Sequence, residues 1–376
     1  MTAAPRVAVI GLGAAGSAAL LALARRGIAA VGLDRFRPPH SHGSSHGRSR
    51  VIREAYYESP AYVPLVRRAY ELWQALEREG GRPLLQQTGG LMIGPADGAL
   101  VRGARESAEA HGLPFELLDA AEIRRRFPVF HAPTGSVGVL EPRAGVLDPE
   151  AAIEVSLALA ARAGAELRFE AQVTGWSGEE GGGLRLDTAA GPVRADRVIV
   201  TAGPWAPELL AGAGAPLEVE RQVMYWFQPA APEPFSAARL PVFIWEWGAG
   251  RYFYGLPDQG AGFKVARHHD GETVTAAAPR RAVQPEEIGE MRQLLRRFIP
   301  DADGPPTDAV TCLYTNTPDH HFLLGPHPRD PRVIIGSACS GHGFKFAPVL
   351  GEVLADLALA GQSAFDLAPF RPGRFG

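Results

Sequence analysis

The chain has 376 residues, enough to bury a large core and divide into two domains. Its 38 basic and 41 acidic residues are well mixed and leave a net charge of −3, which argues against a nucleic-acid or anionic-membrane binder. Two cysteines, Cys312 and Cys339, make no disulfide framework, and a reducing, cytoplasmic setting is the expectation.

Val7-Ala-Val-Ile predicts a strand, Gly11-Leu-Gly13-Ala-Ala-Gly16 a glycine turn, the Ala/Leu-rich run to Arg26 a helix, and Ile28 to Asp34 a second strand. Gly11 permits the tight turn, Gly13 admits a pyrophosphate to the backbone, and Gly16 lets helix and strand pack closely. The helix N-terminus then offers its unpaired N–H groups to the phosphate. Asp34, 23 residues after Gly11, stands where a carboxylate accepts hydrogen bonds from a ribose. This dinucleotide fingerprint does not choose between NAD and FAD. Val7 to Ala24 also lacks any charge, as a signal peptide or membrane span would. The fingerprint spacing, Arg25-Arg26 and a second strand ending in Asp34 favour a soluble nucleotide domain instead.

After Asp34 the chain is rich in Gly, Ser and Pro as far as Arg53, too polar and turn-rich for a strand. It reads as a phosphate-facing loop, with Ser44, Arg50 and backbone N–H groups as donors. His40, His42 and His46 lack a carboxylate or cysteine partner, so no metal site is expected. Pro60 to Glu79 has helical spacing at Val63, Val66, Ala69, Tyr70, Trp73 and Leu76. A strand follows near Gly90, then two short helices through Arg126. Glu141 to Asp148 reads as a turn into a helix with Asp148 as N-cap, Pro149 at the first position and Gly164 as the stop. Strands are expected at Glu166 to Val173, Leu184 to Thr188 and Pro192 to Val200, ending in the small-residue turn Thr201-Ala-Gly203-Pro-Trp205. Arg221 to Gln228, Pro241 to Trp247, Arg251 to Leu256 and Gly262 to His268 read as an antiparallel sheet. Pro285 to Phe298 is an amphipathic helix, Arg332 to Gly336 a strand, Ser337 to Gly343 a turn, and Phe346 to Leu359 a helix.

The fold expected is α/β, a Rossmann-like nucleotide domain with an inserted mixed or antiparallel sheet-plus-helix domain. Residues 1–85, 146–217 and 318–376 belong to the first domain, and 86–145 and 218–317 to the second.

Only two of the 38 basic residues are lysine, Lys264 and Lys345, leaving 36 arginines. Where arginine is the default cation, a surviving lysine marks a site that needs a compact ammonium able to shift its pKa. Both lysines end a Gly-Phe-Lys tripeptide in apolar surroundings.

These residues together resemble the monomeric sarcosine oxidase and N-methyltryptophan oxidase family of D-amino-acid-oxidase-like flavoproteins. The resemblance spans nearly the whole chain. It rests on Gly11-x-Gly13-x-x-Gly16, Gly43-Ser-Ser-His46-Gly-x-x-Arg50-x-Ile-Arg53, Thr201-Ala-Gly-x-Trp205, Tyr254-Gly-x-Pro, Thr311-Cys312-x-Tyr314-x-x-x-Pro-Asp and Ser340-Gly-His-Gly-Phe-Lys345-Phe. Departures are Arg48 where an acid is usual, Glu54 where histidine is usual, and Ala338-Cys339 before the Ser-Gly-His-Gly run.

The resemblance implies FAD held through a thioether to Cys312, with contacts from Gly11, Gly13, Gly16, Asp34, Ser44, His46, Arg50, Val173, Gly203, Trp205, Gly341, Gly343, Phe344 and Lys345. On residue type alone Cys312 would be a small buried hydrophobe, which Cys339 remains. The resemblance further implies that Arg53 and Lys345 hold the substrate carboxylate. Lys264, with Arg50 and His46 close by, would serve the reaction with O2, because a fixed cation favours the negative charge that builds there. His268, four residues on and on the same strand face, would stand by the substrate amine. His269 would point away and be exposed. Tyr254 and Tyr314 would wall the pocket. The helix end after Gly343 would favour negative charge on the flavin.

The implied reaction is oxidation of a small N-methyl amino acid such as sarcosine, giving formaldehyde, the demethylated amino acid and hydrogen peroxide, by a monomeric enzyme without nucleic-acid or membrane partners. N-methyltryptophan or a cyclic amino acid such as pipecolate is the nearest alternative, because Met224-Tyr-Trp226-Phe and Trp245-Glu-Trp247 can line a roomy pocket or fill a small one. A dehydrogenase with a protein acceptor has less need of Lys264. A non-catalytic binding protein needs neither lysine nor Cys312.

Overall fold

A computed structural model describes residues 6–375 apart from 212, 213 and 215. Its nucleotide-side sheet has six strands, in the order Leu323–His327, Asp330–Ser337, Arg197–Val200, Val7–Ile10, Ala30–Leu33 and Glu166–Arg168. All pairs are parallel except the first, an antiparallel edge. Such strands are covered on both faces, so Val7-Ala-Val-Ile carries no polar residue. Val7 and Val9 pack towards the helices Ala14–Arg25, Pro149–Arg162 and Ala347–Ala360. Ala8 and Ile10 face the small sheet of Val173–Gly178, Leu184–Thr188 and Val193–Ala195. Gly16 is obligatory here, since a Cβ on it would stand 1.7 Å from Gly11 O.

The second sheet has nine strands drawn from two separate stretches of chain. Glu218–Phe227, Val242–Gly248, Arg251–Leu256 and Phe263–His268 are joined by Gly90–Pro95, Glu116–Asp119, Ser136–Glu141, Glu272–Val274 and Pro306–Asn316. The sheet is mixed rather than purely antiparallel, because Val242–Gly248 runs parallel to Gly90–Pro95. That pair is the seam between the two excursions, and local pattern carries no information about it. The helix Pro285–Phe298 falls at its expected bounds, with a Gln284/Glu287 capping box. It buries Met291, Leu294, Leu295 and Phe298 against Trp245 and Phe253. Each such side chain contributes roughly 1.5–3 kcal/mol.

Several expected boundaries move. Arg50–Ile52 is a strand inside the stretch expected to be loop, and Gly145–Leu147 is a strand inside the expected turn. The two pair with each other, and Leu85–Gln87 completes a small sheet. Three-residue strands are fixed by their partners and have no pattern of their own. Glu166 to Val173 and Pro192 to Val200 each break in two, the latter at Asp196, whose carboxylate accepts from Arg6 N at 2.7 Å. Pro306–Asn316 and Leu323–His327 were not expected as strands. Among the described residues no helix is long and apolar enough to cross a membrane.

Candidate active site

A cavity of about 370 Å³ runs from the glycine turn to the second sheet. At its nucleotide end the helix Ala14–Arg25 has no side-chain cap and no acid in its first turn. Gly11, Gly13, Ala14 and Ala15 line the cavity there, so an unneutralised helix N-terminus faces it. Asp34 is buried at the rim, its carboxylate fixed by Leu12 N at 2.7 Å and Phe36 N at 2.8 Å. Ser44, Val173, Gly203 and Trp205 line the same cavity, and the Arg35 guanidinium stacks 4.8 Å over Trp205. These residues fit a dinucleotide: donors for a pyrophosphate, an acid for a ribose, and an aromatic wall. Among the described residues no cluster of three His, Cys, Asp or Glu is arranged for a metal; His40 and His42 pack on Phe36 instead.

The other end is built by four segments. Alternation along Pro306–Asn316 puts Cys312 and Tyr314 on one face, both buried and both lining the cavity. Phe263–His268 likewise directs Lys264, Ala266 and His268 to one side, and Arg251–Leu256 adds Tyr254. The 337–343 turn closes the end. Gly341 there has φ +81, and a Cβ on it would lie 2.7 Å from the Tyr314 ring and 2.8 Å from the His268 ring. Gly343, Phe344 and Lys345 also line the cavity. Arg50 braces the glycine- and serine-rich loop, donating to Ser44 O and Ser49 O at 2.8 Å, with Nη2 3.8 Å from Cys312 Sγ.

Arg53 and Lys345 come together as buried cations of the cavity wall. Arg53 already holds a carboxylate, because both oxygens of Glu58 accept from its Nη2, at 2.5 and 2.6 Å. Burial pushes the Glu58 carboxyl up, but Arg53, His342 and Lys345 together outweigh this and leave it below the usual range. The Lys345 ammonium donates to His342 O at 2.8 Å, and burial, then Arg53, bring its pKa down to about 7. Burial, then His269, keep His268 well below the usual imidazole range, so it is a neutral base 3.4 Å from Tyr314 OH.

Three expected site residues do not line the cavity: Gly16, which packs against Gly11 and Thr201 beneath the turn, Lys264 and His46. Lys264 stands behind the 47–49 turn, its ammonium donating to Gly47 O at 2.7 Å and Ser49 O at 2.8 Å. His46 lies in the same turn, with Nε2 on Thr311 O at 2.8 Å and a buried Nδ1 without a partner. His269, expected to be exposed, is half-buried. Its ring sits between His268 at 4.4 Å and His320 at 4.3 Å, with Nδ1 3.2 Å from Glu220. The cause is backbone: φ is +62 at His269 and +70 at Asp270, which breaks strand alternation.

Cys339, expected to be structural only, also lines the cavity, and burial pushes its thiol up to about 11. Glu58 had no signal in the sequence beyond lying five residues after Arg53. Of the aromatic segments, Met224 reaches the cavity, whereas Trp245 packs on Phe298 and Trp247 lies under Arg251.

Residues 6–357 match the protein family described as FAD dependent oxidoreductase. Monomeric sarcosine oxidase of Streptomyces avermitilis is 44% identical over 373 residues, covering 98% of this chain and 97% of that protein. N-methyl-L-tryptophan oxidase of Salmonella enteritidis PT4 is 35% identical over 369 residues, 98% of each. Among solved structures, the open form of NikD, an unusual amino acid oxidase essential for nikkomycin biosynthesis, aligns with a TM-score of 0.84 at 26% identity over 99% of this chain and 98% of that one. A match that begins just ahead of the first strand and ends in the helix Ala347–Ala360 has one consequence: this chain belongs to the FAD-dependent oxidoreductase family.

Proposed function

We propose that this flavoenzyme oxidises a small N-methyl amino acid, sarcosine or a near relative, with O2 as acceptor. The observation that carries the reading is the pair of buried cations, Arg53 and Lys345, in one cavity with Tyr254, His268 and Tyr314. Arg53 offers a planar fork and Lys345 a point charge to the substrate carboxylate, which takes the place now held by Glu58. Neutral His268 accepts the amine N–H, and the faces of Tyr254 and Tyr314 favour partial positive charge on that nitrogen. Bound FAD would supply the hydride acceptor and the path of electrons to O2. Water then hydrolyses the imine, releasing formaldehyde and the demethylated amino acid. Lys264 is the fixed cation that serves the oxygen half of the cycle, through the turn that it shares with His46 and Arg50. Cys312 carries the flavin as a thioether.

A compact substrate is favoured over N-methyltryptophan because Trp245 and Trp247 are committed to packing rather than to the cavity. Working as a monomer in the cytoplasm, with the flavin bound by 1–85, 146–217 and 318–376 and the substrate by 86–145 and 218–317, completes the reading.

The clamp has a direct test. Sarcosine should reduce the flavin about 10- to 100-fold better than an N-methyl amine of similar size without the carboxylate, as expected for a lost charged hydrogen bond of about 1.5–3 kcal/mol. With Lys345 at about 7, affinity for carboxylate ligands should also fall as pH rises past that value, because the ammonium is lost. Anaerobic titrations measure both. Equal reduction with and without the carboxylate would refute the clamp.

A further inference from the structure

We infer that Glu150 is a positioning residue for Lys264, gripping the Gly47–Arg48 peptide from the side opposite the ammonium. The inference rests on the reading of Lys264 given above and adds to it the group that holds this cation in place. Glu150 opens the helix Pro149–Arg162, yet it does not cap that helix. Asp148 does so, accepting from Ala151 N at 2.9 Å. Glu150 instead reaches to the glycine- and serine-rich loop, where its Oε1 accepts from Gly47 N at 2.7 Å and Arg48 N at 3.2 Å. Its Oε2 is buried and has no partner.

From the other side Lys264 Nζ donates to Gly47 O at 2.7 Å, Ser49 O at 2.8 Å and Ser49 Oγ at 3.2 Å. None of these acceptors carries a full charge. The peptide that joins Gly47 to Arg48 therefore lies between an anion on its N–H, that of Arg48, and a cation on its carbonyl, that of Gly47, an arrangement in which each hydrogen bond polarises the other. The turn also needs holding. Gly47 has φ +106 and Arg48, which is not glycine, has φ +66; a Cβ on Gly47 would lie 2.5 Å from Met224 Cε.

The groups facing Lys264 define what Glu150 must do. Arg50 and Arg48 come from the loop, Cys312 from Pro306–Asn316 and Glu150 from the helix. The neighbouring strands bring Trp226, whose ring lies 5.1 Å from Nζ, and Leu256. Two of the neighbours are cations, and Glu150 is the one carboxylate in the set. Burial, then Arg50 and more weakly Arg48, pull the ammonium well below the usual lysine range, and Cys312, then Glu150, act against them.

The chain makes this measurable without flavin chemistry, because it contains only two lysines. Holoenzyme labelled with [ε-13C]lysine should give two resonances, assigned with Lys345→Met. In Glu150→Gln, which keeps an oxygen for Gly47 N but removes the charge, the Lys264 midpoint should fall by about one pH unit. Lys345 should stay put, and Glu154→Gln one turn along should move neither. In the holoenzyme the oxygen half-reaction should lose its rate at correspondingly lower pH, with anaerobic reduction unchanged. Should Glu150→Gln not fold, Glu150→Asp draws the carboxylate back by one methylene and should lower the midpoint by a smaller, still measurable amount. A Lys264 midpoint that stays at the wild-type value in whichever variant folds overturns the inference, whatever Lys264 does in the reaction. A shifted midpoint in a protein whose Lys264→Met variant reoxidises normally would uphold Glu150 and reject the oxygen role of Lys264.

Discussion

Lys264→Met should slow reoxidation of the flavin by O2 on the order of 10²–10³-fold while leaving anaerobic reduction by substrate nearly intact. That is the range for removing a preorganised donor at a reacting centre, and it is the upper bound for Lys264, which acts on the cavity from behind the 47–49 turn. The variant also strips the donor from Gly47 O and Ser49 O, which are hydrogen-bonded by a buried ammonium. Gly47 O keeps Ser49 N at 2.8 Å and Ser49 O keeps Arg50 Nη1 at 2.8 Å, so what is lost is the bonds to a charged donor, about 1.5–3 kcal/mol each, and thermal stability should be measured beside the kinetics. Lys264→Arg keeps the charge but spreads it over a plane too wide for the same pocket, and it should fall between wild type and Met. Lys345→Met should show the reverse pattern, with weaker substrate binding and reduction but normal reoxidation. Stopped-flow measurement of both half-reactions separates these cases. Wild-type reoxidation in Lys264→Met would remove the lysine from the mechanism.

The second large effect concerns attachment of the cofactor. Acid-precipitated protein should stay yellow, Cys312→Ala should release its flavin to the supernatant, and Cys339→Ala should not. Both controls are needed because both thiols line the cavity. They differ in setting: Cys312 Sγ lies 3.5 Å from Ser44 O and 3.8 Å from an Arg50 nitrogen. A colourless wild-type pellet would sink the thioether, and release from Cys339→Ala alone would move it to the other cysteine.

What could be read from the sequence was local. The glycine turn, Asp34 and the cap at Asp148 are written within a few residues of the features that they control. The two lysines stood out by count, and both proved to be buried. What could not be read was pairing between distant segments. Pro306–Asn316 is a strand because Glu218–Phe227 lies beside it, and it begins with Pro, Thr and Asp, which do not announce one. Glu58 fills the Arg53 fork, and Glu150 crosses to Gly47, through tertiary contacts with no spacing signature. His269 was misplaced because a left-handed backbone at a non-glycine residue overrides the alternation from which its exposure was argued.

The most direct test is to mix the yellow protein anaerobically with sarcosine, follow the absorbance of the oxidised flavin, then admit O2 and count products. The account predicts bleaching by substrate, recovery with oxygen, and one formaldehyde and one hydrogen peroxide per sarcosine consumed. A flavin that stays oxidised with sarcosine and with every other N-methyl amino acid tried would contradict it.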